Sequence, residues 1–132
     1  MKYLKIVALA AALLLPVLGR AQESYEAFLP IAKYLELGDA DKLSAWFDDN
    51  LEITVQDVTS DSSKNQAKQI MKRFFSTVHP TSFTIQHAAS KSNMKYALGV
   101  LTAGSTNYNV TIFVNCAEDG CKIQQLKIEK VR

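Results

Sequence analysis

Few side chains in this sequence are of kinds that do chemistry. Cys116 and Cys121 bracket Ala117-Glu118-Asp119-Gly120. If that segment turns a hairpin, the two thiols face each other across adjacent strands, at a spacing that suits a disulfide. A metal site would need two further ligands, and the only histidines, His79 and His87, fall on other elements. A disulfide is the expectation, free thiols are the alternative, and neither a metal nor a cofactor is expected. His87 lies in the alternating run Phe83, Ile85, His87, Ala89, which puts it on the inward face of a strand. There it could touch a ligand or shuttle a proton, or sit at a rim bonded to backbone. Gln86, Tyr34 and Tyr96 join His87 as candidate ligand contacts, although tyrosines with a polar tip are also ordinary core residues. His79 precedes Pro80 at a helix end, where the helix dipole is reason enough for it.

Acid–base catalysis needs a donor and an acceptor about the reacting atom. No Asp or Glu falls on the apolar face of the later strands: Asp57 continues the Leu51, Ile53, Val55 face only at its end, and Glu129 sits near the chain end. Gly-rich phosphate loops, paired-His metal helices and nucleophile elbows are absent from the sequence. No enzyme is expected; a small isomerase or lyase using His87 is the alternative.

These residues need elements to position them. Ser24 can cap a helix running to about Leu37, with Tyr25, Phe28, Leu29, Ala32 and Leu35 on one stripe and Pro30 tolerated in its first turn. Gly38 suits a left-handed end, and Asp39 can cap a short helix carrying Leu43, Trp46 and Phe47. After the polar break Asp48-Asp49-Asn50, Leu51, Ile53 and Val55 alternate as a strand, and residues 59–65 read as a loop. Ser63 and Gln66 form a capping box before Ala67, Ile70, Met71, Phe74, Phe75 and Val78, the strongest helical period in the chain, which His79-Pro80 ends. The period then becomes two. Strands carry Phe83 to Ala89, Tyr96 to Leu101, Tyr108 to Val114 and Ile123 to Ile128, the last needing a β-bulge at Gln124-Gln125 to keep phase. Turns at Ser90–Asn93, Gly104–Asn107 and Ala117–Gly120 make these strands antiparallel neighbours. The expected fold class is α+β, a cone of three N-terminal helices packed on a strongly bent antiparallel sheet. The helix of Ile70, Met71, Phe74 and Phe75 should fill one end of the concavity. Any pocket should then open at the other end, near the first helix, beside Thr84, Gln86, Ala89 and Ser90.

Lys2 and Lys5, the apolar run Ile6 to Leu18 and the small residues Gly19 and Ala21 form a signal-peptide pattern with cleavage after Ala21. The run is 13 residues long, short of the roughly 20 that span a bilayer, so no stable membrane anchoring is expected after cleavage. Residues 1–21 are thus read as a signal peptide and 22–132 as a single domain, exported to a periplasmic or extracellular space. Residues 22–132 carry 12 Lys and Arg against 13 Asp and Glu, a balance that gives no support for nucleic acid as a partner. The charge is nonetheless segregated: residues 22–63 hold ten acids and two bases, residues 64–132 ten bases and three acids. Lys64, Lys68 and Lys72 form one basic stripe, facing either acids of the first half or an anionic partner or second copy.

The run Lys64-Asn65-Gln66-Ala67 through Phe74-Phe75, then Pro80-Thr81-Ser82-Phe83, His87 and Tyr96-Ala97-Leu98-Gly99, resembles a domain-of-unknown-function family of small exported bacterial proteins. So does Gly38-Asp39-Ala40 leading to Leu43 and Phe47. That family is similar to the nuclear transport factor 2-like, or cystatin-like, superfamily. The resemblance implies an α+β cone with a pocket at its open end, in a superfamily holding isomerases, dehydratases, transport adaptors and pure binding domains. Fold alone does not choose among them. The functional expectation is a non-catalytic binding module holding a small apolar molecule or a protein partner at the cone mouth. The alternative is an assembly subunit, a homodimer for instance, pairing through the outer sheet face, and a continuous apolar patch there would mark it.

Overall fold

The computed structural model describes residues 25–131; the signal-peptide reading and the Ser24 cap lie outside them. The element order is α1 (Leu29–Leu37), α2 (Ala40–Ser44), β1 (Phe47–Val55), β2 (Val58–Ser63), α3 (Lys64–Thr77), β3 (Ser82–Lys91), β4 (Met94–Ala103), β5 (Thr106–Ala117) and β6 (Gly120–Lys130). The strands form one curved sheet in the order β2-β1-β6-β5-β4-β3. This is the expected α+β cone.

Local chemistry sets the helix ends. Pro30 sits in the first turn of α1, where its missing N–H costs nothing, and Gly38 ends that helix at φ 65°. The Asp39 carboxylate accepts from the Lys42 N–H and starts α2. Ser63 and Gln66 form the reciprocal capping box of α3. Ala67, Met71, Phe74 and Phe75 on α3 are buried against Phe28, Ile31 and Leu35 of the α1 segment and the inner residues of the sheet. Among the described residues no helix is long and apolar enough to cross a membrane.

Several elements differ from the sequence reading. Residues 59–65 are not a loop: Val58–Ser63 is an edge strand paired with β1 from Val55↔Val58 to Asn50↔Ser63. Its Ser and Thr side chains hid it, because even the inward positions after Val58, Ser60 and Ser62, carry hydroxyls and break the apolar alternation. The short helix stops at Ser44, so Trp46 lies beyond it and Phe47 opens β1, with Asp48-Asp49-Asn50 inside that strand. β1 also runs parallel to β6, so the sheet is antiparallel except at that one pairing. The bulge at Gln124 is where the sequence put it: the register shifts between Phe113 and Val114, and Ile123, Leu126 and Ile128 are all fully buried.

A second bulge, which the sequence reading lacked, decides the face of His87. Ile85 pairs with Gly99, but His87 pairs with Leu98. Gln86 is the extra residue. It throws His87 and Ala89 to the outer face while Ala88 takes the inward place opposite Ala97. His87 therefore does not share a face with Phe83 and Ile85.

Candidate functional site

An apolar recess of about 560 Å³ lies between the β1–β2 hairpin and the C-terminal half of α3. Its sheet wall is Ile53, Val55, Val58 and Ser60; its helix wall is Ile70, Phe74, Thr77 and Val78. It exists because β2 is short and its inward positions after Val58 are serines. Ser60 and Ser62 hydrogen-bond to each other at 3.0 Å and do not reach α3, so Ile70 and Val78 stay half-buried. Phe74 closes the inner side by an edge-on contact with Tyr108, ring centroids 5.4 Å apart. The volume falls within the range of small-molecule sites, roughly 300–1,000 Å³.

The polar groups of the recess are few. Arg73 stands on its helix wall and Gln56 at the hairpin tip. The Thr77 hydroxyl donates to the Arg73 carbonyl at 2.8 Å, and the Ser76 hydroxyl donates to the same oxygen at 2.7 Å. No Asp or Glu lines the recess. Gln56 and Asp57 form the hairpin tip with φ 49° and 74°, and the Gln56 N–H donates to the Ile128 carbonyl at 2.8 Å.

The residues singled out from sequence lie elsewhere. His87 and Tyr96 come together on the outer face, Nε2 to Oη 3.2 Å, and the bulge residue Gln86, next to His87 in the chain, is exposed. Tyr96 in turn packs near Phe113, centroids 5.7 Å apart, so the histidine is the end of an aromatic row across β3, β4 and β5. Tyr34 is separate from them, half-buried on α1 against the core. The expected pocket beside α1 is present only as a smaller depression of about 350 Å³ at Leu29, Lys33, Phe83 and Ile85. The Phe83 ring, which lines that depression, fills the space over Gly99. The signal that could have found the larger recess was Ser60 and Ser62 at inward strand positions opposite Ile70 and Phe74, but it required reading residues 59–63 as a strand.

Cys116 and Cys121 are opposite one another in the β5–β6 register and are joined as a disulfide. On the basic stripe, Lys68 and Lys72 both reach Asp41 of α2, at 3.3 and 3.2 Å. Those two lysines thus face an acid of the first half of the chain. The ammonium of Lys72, then that of Lys68, donates to the Asp41 carboxylate and holds its pKa below the ordinary 3.8.

Residues 28–129 match the family described as Domain of unknown function (DUF4783), and the chain belongs to it. A DUF4783 protein from Bacteroides ovatus is similar in structure, with a TM-score of 0.74 and 20% identity, over 79% of this chain and 94% of that one. A second, from Bacteroides uniformis, has a TM-score of 0.74 and 21% identity over 78% of this chain and 95% of that one. A putative dehydratase of the NTF2-like family from Streptomyces avermitilis has a TM-score of 0.65 at 9% identity, over 85% of this chain and 96% of that one. These likenesses establish a nuclear transport factor 2-like fold. No curated protein matches the sequence.

Proposed function

We propose that this protein is an exported, non-catalytic binding domain, and that its ligand site is the recess between the β1–β2 hairpin and α3. The observation that carries the reading is an apolar hollow of about 560 Å³ with one cationic side chain and no carboxylate in its lining. Such a site holds a ligand by burial and shape, and lacks the paired donor and acceptor that proton transfer uses. The His87–Tyr96 pair lies on the outer sheet face and lines no part of this recess, so it takes no part in this reading. The test uses a neutral apolar probe. On titrating 1-decanol into methyl-labelled protein, shifts should appear in Ile53, Val55, Ile70 and Val78 and saturate together. Shifts that are absent, or spread evenly over the surface, would overturn the site. Export is tested by the intact mass of protein recovered from its host, which should correspond to a chain beginning at Gln22.

One observation favours a second reading, pairing through the outer sheet face. Met94 and Leu98 are 38% and 39% exposed there, beside half-buried Tyr96, Val100 and Phe113. This is an apolar patch of the kind that marks an interface. Light scattering should then show a dimer that Met94→Lys with Leu98→Lys converts to a monomer; a wild-type monomer at high concentration would rule it out.

A further inference from the structure

Arg73 is placed on the wall of an apolar recess and, among the described residues, its guanidinium makes no ion pair and no hydrogen bond. It differs in this from Lys68 and Lys72 on the same helix, which share Asp41. A guanidinium presents up to five N–H donors and accepts nothing, so its complement is an anion with paired oxygens. Ser76 and Thr77 spend their protons on the Arg73 carbonyl, which also blunts the negative end of α3 at the recess. Gln56, on the hairpin tip, also lines the recess and carries an amide that can donate. Behind these donors the walls are Ile53, Val55, Ile70 and Val78.

Resting on the recess as the ligand site, we infer that its ligand class is a single-chain amphiphile with an anionic head, a carboxylate with an alkyl chain. The chain lies between the β1–β2 hairpin and α3, and the carboxylate meets Arg73 with Gln56 beside it. Burial of the chain supplies most of the affinity, and the charge-assisted pair at the mouth sets orientation and selects the anion. A cationic amphiphile of equal length meets Arg73 as a like charge, and a neutral one leaves the guanidinium without a partner.

The experiment compares decanoate, 1-decanol and decyltrimethylammonium, each below its micelle concentration, by calorimetric titration into the purified protein. Decanoate should bind at least tenfold more tightly than 1-decanol, decyltrimethylammonium least tightly, and the preference should shrink as salt is raised. Arg73→Gln should remove the preference for decanoate over 1-decanol, and Arg73→Lys should keep part of it. Equal binding of decanoate and 1-decanol by the wild type, or a preference that survives Arg73→Gln, overturns the head-group assignment and leaves the recess as an apolar site. Failure of both decanoate and 1-decanol to bind overturns the recess itself. The salt series on the wild type decides the question even if an Arg73 variant were poorly folded.

Discussion

Phe83 and Gly99 share one volume. A Cβ built on Gly99 would lie 2.5 Å from Phe83 Cζ and 2.7 Å from the Thr84 carbonyl oxygen, so the ring is where a side chain at residue 99 would have to be. β3 and β4 are adjacent there, with Ile85 opposite Gly99 and Phe83 opposite Leu101. The ring leans along the strand over the bare backbone and closes the cone near α1.

Gly99→Ala should therefore destabilise the fold. The new methyl would meet the Phe83 ring at Cζ, 2.5 Å, and at Cε1, 2.9 Å, so the packed ring would have to leave its place. Overpacking of this kind costs typically 1–3 kcal/mol, and a value of about 2 is expected from chemical denaturation. Phe83→Ala should cost roughly 3 kcal/mol, the low end for truncating a phenylalanine, because the ring is only half-buried. In the double variant the two costs should not add, since the alanine methyl enters the space the ring has left. Simple additivity would mean that Thr84, not Phe83, is what excludes a side chain.

The same pair shows what the sequence could and could not reveal. Helical periods, the capping box, the Gly38 end and the Gln124 bulge were all legible, because each is written in residues adjacent along the chain. The bulge at Gln86 was not. Phe83, Ile85, His87 and Ala89 alternate without a visible break, and the phase slips only because Gly99 and Leu98 on β4 hold Ile85 and His87 in consecutive pairs. The recess is hidden in the sequence for a related reason. Residues 59–63 are hydroxyl-rich and lack the apolar alternation that marks a half-buried strand, so only their pairing with β1 shows that Val58 and Ser60 face α3. Long-range register is carried by partners far apart in sequence, and period counting along one strand does not reach it.

The disulfide closes a very short loop, so its effect on the unfolded chain is small. By the loop-entropy relation it contributes about 2 kcal/mol. Cys116→Ser with Cys121→Ser should lower the unfolding free energy from chemical denaturation by that amount and leave the circular dichroism spectrum unchanged. Global unfolding of the double variant would show that the β5–β6 hairpin depends on the bond.

Asp41 links two lysines to α2, and its depressed pKa fixes the sign of a pH effect. A carboxylate with a lower pKa in the folded state than in the unfolded state contributes stability that is fully present above the unfolded value. It loses that contribution as pH falls through the folded value. The window therefore opens near 3.8 and extends downward. Asp41→Asn should be slightly less stable than wild type at neutral pH, and the difference should vanish in acid below that window. Because the group is solvent-exposed, the difference should also shrink in high salt. A gap that widened on acidification would contradict the arrangement of Lys68 and Lys72 on Asp41.

The tip of the β1–β2 hairpin is the last test, because it joins stability to the candidate site. Val55 pairs with Val58, so only Gln56 and Asp57 make the turn, and both hold positive φ, 49° and 74°. Two-residue hairpins favour this twist, but ordinarily with Asn and Gly, which enter the left-handed region cheaply. A residue with a full side chain pays a cost of about 1 kcal/mol or more there. Gln56→Asn with Asp57→Gly should thus raise stability by roughly 1 kcal/mol, read as a rise of several degrees in melting temperature. The backbone hydrogen bond from residue 56 to the Ile128 carbonyl survives both changes. The shorter Asn side chain, however, withdraws the amide from the mouth of the recess, so decanoate should bind a few-fold more weakly to the stabilised variant, while 1-decanol should bind as before. Were the variant less stable than wild type, the strain read from the two φ angles would be absent. Were decanoate affinity unchanged, Gln56 would stand clear of the bound carboxylate and Arg73 alone would hold it.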